Sequence, residues 1–246
     1  VLFVDLDATI IRGPFESAVF PVVFGELAQK TGLAQADIRR QVMVENLARL
    51  RDPAVPAARA MDWDDIFEAV ARRLGVGLEA SGVAIAAAHA GPPYTAILDH
   101  ADQILRQLVR PGRAIVIATK GLRKYQLPVL DALGLTPLCT GILTPDLQGA
   151  LKGDPAFYDP WPRITRVQIS FGDLYDDDVL GPKRLGFKAI WKLNAPNGAL
   201  QQAGPLDRPA GFPYAADQPV RPDAIVFSLS ELPDVVEALE RAPLAR

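Results

Sequence analysis

The sequence has very little cysteine and histidine. Its single cysteine, Cys139, can form no intrachain disulfide, and with only His89 and His100 beside it a Cys/His zinc site is excluded. Long apolar runs are missing too. None approaches the roughly 18 residues needed to span a bilayer, so no membrane partner is expected. Positive charge is not in excess: 26 Lys and Arg stand against 29 Asp and Glu, a net charge of −3. Such a balance gives no broadly basic surface for a nucleic-acid backbone, and no nucleic-acid partner is expected. The first residues, Val1-Leu2-Phe3-Val4, lead straight into Asp5 without a basic stretch, so they do not read as a signal peptide. The chain starts without Met, and native residues upstream are expected. With 49% hydrophobic and 22% charged residues among 246, disordered and fibrous classes are excluded. A soluble cytoplasmic protein is expected, either one large domain or a core with a smaller companion.

What is present is a set of short, continuous apolar runs rich in β-branched residues, at 1–4, 114–118, 167–171, 187–191 and 224–227. Continuous rather than alternating runs are expected of parallel strands covered on both faces. Helical patterns separate them. One runs over 102–109, with Ile104, Leu105 and Leu108 on one side and Pro111-Gly112 as its stop. Another covers 127–133 and ends at Gly134. Alternation of this kind predicts an α/β fold with a Rossmann-like open parallel sheet.

One interval breaks the rhythm. Roughly 110 residues separate the first two runs, far more than a crossover helix requires. In 36–50, Ile38, Val42, Leu47 and Leu50 recur near the helical period. Asp62-Trp63-Asp64-Asp65 opens another helix, with Ile66, Phe67, Val70 and Leu74 on one face and Gly75 at its end. The expected organisation is an all-α insertion at 15–94 and an α/β core of 1–14 plus 95–246. A proline-rich stretch at 194–222 is expected to be a surface excursion.

The chemistry collects where the runs end. The first gives Asp5-Leu6-Asp7-Ala8-Thr9, two carboxylates at i and i+2 at the sheet edge where open α/β folds place ligands. Alone, such a pair reads as well as a cap or turn. The second ends Ala118-Thr119-Lys120-Gly121, a hydroxyl, an ammonium and a glycine suited to an anion. The third ends Gly172-Asp173-Leu174-Tyr175-Asp176-Asp177-Asp178. Crowded acids raise one another's pKa, and a divalent cation such as Mg²⁺ removes that cost. For Asp176 and Asp177 a solvated turn is the preferred reading. Lys152, in Leu151-Lys152-Gly153-Asp154-Pro155, falls between these strand ends.

Taken together, these motifs resemble those of the haloacid dehalogenase-like (HAD) hydrolase superfamily, in the branch with a helical cap after the first strand. Residues 1–9 resemble its Asp-x-Asp-x-Thr motif and Ile115 to Thr119 its second motif. Lys152 with Gly153-Asp154-Pro155-Ala156-Phe157 resembles the third, and 172–178 the fourth. The resemblance implies a hydrolase acting on a small phosphorylated metabolite. It makes Asp5 the nucleophile that forms an aspartyl-phosphate and Asp7 the general acid and base. It implies Mg²⁺ held by the Asp5 carboxylate, the Asp7 backbone carbonyl and Asp173, with Asp178 supporting. Thr119, Lys120 and Lys152 then bind substrate, and Lys152 also offsets the carboxylates.

Three positions depart from the family pattern: Ala8 for a frequent Gly, Gly153 for Pro, and Leu174 for Ser. None removes a catalytic group. Asp7 argues against a 2-haloacid dehalogenase, which lacks that aspartate because halide leaves without a proton. A phosphomutase on the same core, or a non-catalytic relative that binds without turnover, are the alternatives. Dinucleotide-binding and Ser-hydrolase motifs are absent. Arg12, Arg39, Arg40, Trp63 and Tyr94 are candidates for substrate selection, with surface or packing roles preferred for each. The sequence does not fix the oligomeric state.

Overall fold

The computed structural model describes residues 1–194 and 198–242, so Pro196 of the proline-rich stretch lies outside the described residues. Six parallel strands among them form one sheet in the order β5-β4-β1-β6-β7-β8. They are β1 (Leu2–Val4), β4 (Ile115–Ala118), β5 (Gly141–Leu143), β6 (Ile169–Gly172), β7 (Lys188–Lys192) and β8 (Ala224–Val226). A separate antiparallel ribbon pairs β2 (Ile11–Arg12) with β3 (Ala96–Ile97). The central strands β1, β4 and β6 are buried on both faces, which is why their sequences do not alternate. Leu2, Val4, Ile115, Ile117, Ile169 and Phe171 point into one apolar core. Phe3, Val116 and Ala118 point into the other, with Phe157, Tyr158 and Phe187.

Strand order explains where a site can form. From β1 the chain moves outward through β4 to β5, then returns to β6 and runs the other way to β8. Such a reversal opens a crevice at the carboxyl ends of the central strands. Register aligns those ends: Val4 stands opposite Ile117 on one side and Phe171 on the other.

Between the two ribbon strands lie the helices of the cap: α1 (Phe20–Thr31), α2 (Gln35–Arg51), α3 (Ala57–Ala60), α4 (Trp63–Arg73) and α5 (Gly82–Ala88). They bury a core of their own that includes Val23, Leu27, Ile38, Val42, Phe67 and Val70. Asp62 caps α4, accepting from the Asp64 N–H at 3.2 Å, while Asp64 accepts from Gly82 N at the start of α5. Leu47, expected on the apolar face of α2, is 44% exposed. The inward side of that turn is taken by Arg49, which is buried with ion pairs to Glu45 at 2.9 Å and Asp65 at 2.6 Å.

On the sheet, α6 (Ala101–Leu108) covers one face. Next comes α7 (Arg123–Ala132), which starts four residues before the helix expected at 127–133. Its first turn holds Tyr125, whose ring joins the cap core and whose hydroxyl donates to Asp62 at 2.8 Å. The described part of 194–222 is more than a surface excursion. Phe212 packs against Trp191 with ring centroids 5.3 Å apart, and buried Arg208 makes two 2.8 Å hydrogen bonds to Glu231. Cys139 is half-buried, and burial pushes its thiol up to about 11, too high for a reactive nucleophile. No helix of the described residues is long and apolar enough to cross a membrane.

Candidate active site

Asp5 follows β1 directly, its N–H donating to the Phe171 carbonyl at 2.9 Å, so the nucleophile candidate is fixed by the sheet's own ladder. The Lys152 ammonium lies 2.5 Å from Asp5 Oδ1 and 2.9 Å from Asp178 Oδ1. Thr9, fully buried, donates to Asp5 Oδ2 at 2.8 Å and also lies 3.1 Å from Asp173 Oδ1. Thus residues of the first, third and fourth motifs, distant in sequence, meet within one hydrogen-bonded cluster. Asp178 also accepts from the Leu174 N–H at 3.0 Å. Gly172 makes room for it, since a Cβ there would stand 2.2 Å from the Asp178 carboxyl.

Asp178 and Asp177 part company here. Asp178 is buried in the cluster, whereas Asp177 pairs with Lys120 at 2.5 Å and Asp176 is exposed. Asp177 is therefore not the solvated turn residue expected from sequence; the neighbouring ammonium draws it in. Thr119 is buried at the end of β4, where its hydroxyl accepts from Gly121 N at 3.1 Å.

Asp7 reaches the solvent of the cleft while protein encloses its carboxyl on other sides. Gln126 of α7 donates to its Oδ2 at 2.8 Å, and a Cβ on Gly13 would lie 2.4 Å from its Oδ1. That enclosure, with the Asp5 charge, raises its pKa to about 6, against the opposing Gln126 hydrogen bond. Asp173 is also raised, by burial and then by Asp5. Burial pushes Asp178 up against the pull of Lys152. For Lys152, burial favours the neutral amine, but Asp178 and Asp5 outweigh it and hold the ammonium charged.

Asp5, Asp173 and Asp178 each offer a carboxylate oxygen, all within 4.8 Å of one another. Three carboxylates against one ammonium leave two uncompensated negative charges. Hard oxygen donors carrying that excess fit a divalent cation such as Mg²⁺.

Above this floor lies a cleft of about 820 Å³ between sheet edge and cap. Arg12 and Trp63, given surface or packing roles from sequence, both line it. Arg39 does not; it pairs with Glu16 at 2.8 Å. Arg40 pairs with Asp37, and Tyr94 is 39% exposed. Sequence reasoning gave no role to Gln126, which lies 119 positions from Asp7. Thr9 carried a signal, since it closes the Asp-x-Asp-x-Thr pattern.

No family model matches the chain, and no curated protein does. Solved structures match it nearly end to end. An HAD phosphatase from Thermococcus onnurineus superposes with a TM-score of 0.70 at 20% identity, covering 96% of this chain and 97% of that one. The HAD-hydrolase YfnB of Bacillus subtilis, bound to magnesium, gives 0.60 at 17% identity, with 96% and 97% covered. The L-2-haloacid dehalogenase of Xanthobacter autotrophicus gives 0.62 at 17%, with 97% and 98% covered. The fold is that of the HAD-like hydrolases, a Rossmann-like core with an inserted helical cap. Phosphatases and dehalogenases share it, so the choice between them falls to the residues of the site.

Proposed function

We propose that the protein is a Mg²⁺-dependent phosphatase that hydrolyses a small phosphomonoester through an aspartyl-phosphate on Asp5. The observation that carries this reading is Asp7. It stands two residues past Asp5, faces the cleft and is held by Gln126 at 2.8 Å. A departing halide needs no proton, whereas a departing alkoxide does, and a carboxyl raised to about 6 can supply it near neutrality.

In this reading an Asp5 oxygen attacks phosphorus in line, the P–O bond to the leaving group breaks, and Asp7 gives that oxygen its proton. Water then attacks the same phosphorus, Asp7 takes the water's proton, and Asp5 and inorganic phosphate separate. Lys152 holds Asp5 in place and, with the Thr119 hydroxyl, binds phosphate oxygens. Lys120 adds positive charge at the rim from its pair with Asp177. Asp5, Asp173 and Asp178, with the Asp7 carbonyl, would hold Mg²⁺. When bound, the ion lowers the repulsion between an anionic carboxylate and an anionic phosphate. Residues 15–94 act as a cap over the core formed by 1–14 and 95–246, excluding water and polymers. The expected partner is a small phosphorylated metabolite in the cytoplasm.

The test is hydrolysis of p-nitrophenyl phosphate in MgCl₂ by the parent, Asp5→Asn and Asp7→Asn. Loss of the nucleophile is expected to lower kcat by about a thousandfold or more. Asp7→Asn is expected to hurt alkyl phosphates more than the nitrophenyl ester, whose leaving group departs without a proton. Equal rates in parent and Asp5→Asn would remove Asp5 from the reaction.

A further inference from the structure

Resting on the phosphatase reading, we infer that the leaving group of the substrate carries an aromatic ring system, seated against the cap. The cleft is far larger than a phosphoryl group alone requires, with the size of a site for a drug-sized ligand. Its cap side is built from Phe15, Phe20, Met61 and Trp63, continued on the core side by Tyr125. These rings brace one another. Phe15 lies 5.2 Å from Tyr125 at 84° and 6.0 Å from Trp63 at 45°, and Phe20 meets Trp63 at 5.2 Å and 76°. Phe15 and Trp63 are only half-buried, so each keeps ring surface for a ligand, and Met61 offers a polarizable thioether beside them.

The charges point the same way. Among the described cap residues that line the cleft, the one ionisable side chain is Glu16, and both its oxygens are bound by Arg39, at 2.8 and 2.9 Å. The cap thus presents no free cation to a carboxylate or second phosphate on the leaving group. Cations lining the cleft lie outside residues 15–94: Arg12 on the ribbon, Lys120 paired with Asp177, and Lys192 donating to the Ala8 carbonyl at 3.2 Å. A flat apolar group gains from the wall by burial and edge or face contact, and a charged one loses water there without compensation.

The test uses three phosphate esters of primary alcohols, so that leaving-group reactivity is similar: 2-(1-naphthyl)ethyl phosphate, n-butyl phosphate and a carboxyalkyl phosphate. The naphthyl ester is expected to exceed the butyl ester by about 30-fold in kcat/KM, mostly through KM. Trp63→Leu, which keeps an apolar side chain, and Phe15→Leu as a second variant, are each expected to narrow that ratio to about fivefold. A ratio near one, or preference for the carboxyalkyl ester, overturns the inference and leaves the phosphatase reading standing. If no ester is turned over, the phosphatase reading fails. Calorimetric binding of naphthylmethylphosphonate against methylphosphonate then decides the ring site alone, equal affinities overturning it.

Discussion

Replacing Lys152 by Met tests how the acidic cluster is held together. The ammonium side chain is 2% exposed and touches two carboxylates, Asp178 at 2% exposure and Asp5 at 12%. Met fills the same channel without charge. The two carboxylates then face each other and Asp173 with oxygens no more than 4.8 Å apart. At an effective dielectric of about 20 each such pair repels by about 3.5 kcal/mol, in the parent as in the variant, and in the parent the ammonium offsets it. The variant loses that offset, and removing one partner of a buried ion pair costs about 3–5 kcal/mol. With a urea slope near about 2.5 kcal/mol per molar, the midpoint should fall by about 1.5 M. The assay is urea unfolding followed by circular dichroism in EDTA. Adding Asp178→Asn to the variant should restore part of the loss, because the second substitution removes one of the stranded charges. MgCl₂ should stabilise Lys152→Met more than the parent, since carboxylates that have lost their ammonium attract a divalent cation more strongly. A loss below about 1 kcal/mol, or a double variant whose losses simply add, would refute the electrostatic account.

Ala8 has φ of +63°, a left-handed conformation that strains an L side chain by about 1–2 kcal/mol. Ala8→Gly relieves that strain but loosens the unfolded chain by about 0.4–1 kcal/mol, so a net gain between zero and about 1.6 kcal/mol is expected in the same unfolding assay. Gln126→Leu removes the donor to Asp7 and should lower kcat about tenfold with little change in KM, read in steady-state kinetics. Burial raises the Glu231 carboxyl, but its hydrogen bonds from Arg208 and the Phe227 N–H outweigh this and hold it below the usual range. A depressed carboxyl stabilises the fold above its unfolded pKa and loses that contribution as pH falls through the folded value. Glu231→Gln should therefore cost about 2 kcal/mol at pH 7, with the gap to the parent closing below about pH 4 in unfolding curves taken across pH.

The central sheet and the clustered motif residues were legible because local pattern encodes them. Strands β1, β4, β6, β7 and β8 each fall on an expected run, within one or two residues at either end. Burial on both faces gives such strands an uninterrupted apolar signature. Edge strand β5 was missed because Gly141 opens it and leaves only Ile142 and Leu143 as an apolar signal, while the two-residue ribbon strands are too short to show any period. Asp5, Thr119, Lys152 and Asp173 were legible because each sits at the end of a run or in a motif. Gln126 was not. It acts on Asp7 across 119 positions, from a helix whose first turn showed no apolar period. Arg49 was hidden for a related reason: a buried guanidinium satisfied by Glu45 and Asp65 looks, in sequence, like any surface arginine. The aromatic wall was obscured because Phe15, Trp63 and Tyr125 belong to three separate elements.

The β2–β3 ribbon has a further consequence. The backbone leaves the sheet layer at Ile11–Arg12 and re-enters beside itself at Ala96–Ile97, the two passages sharing one antiparallel register. Seen from the Rossmann layer, everything between is a tethered loop whose ends are already stapled together. Lengthening or shortening such an insert changes the entropy of joining its ends only logarithmically, by about 0.6 kcal/mol per doubling. The acidic floor is thereby insulated from the size of what it carries, and one scaffold can exchange inserts while its carboxylates stay in place.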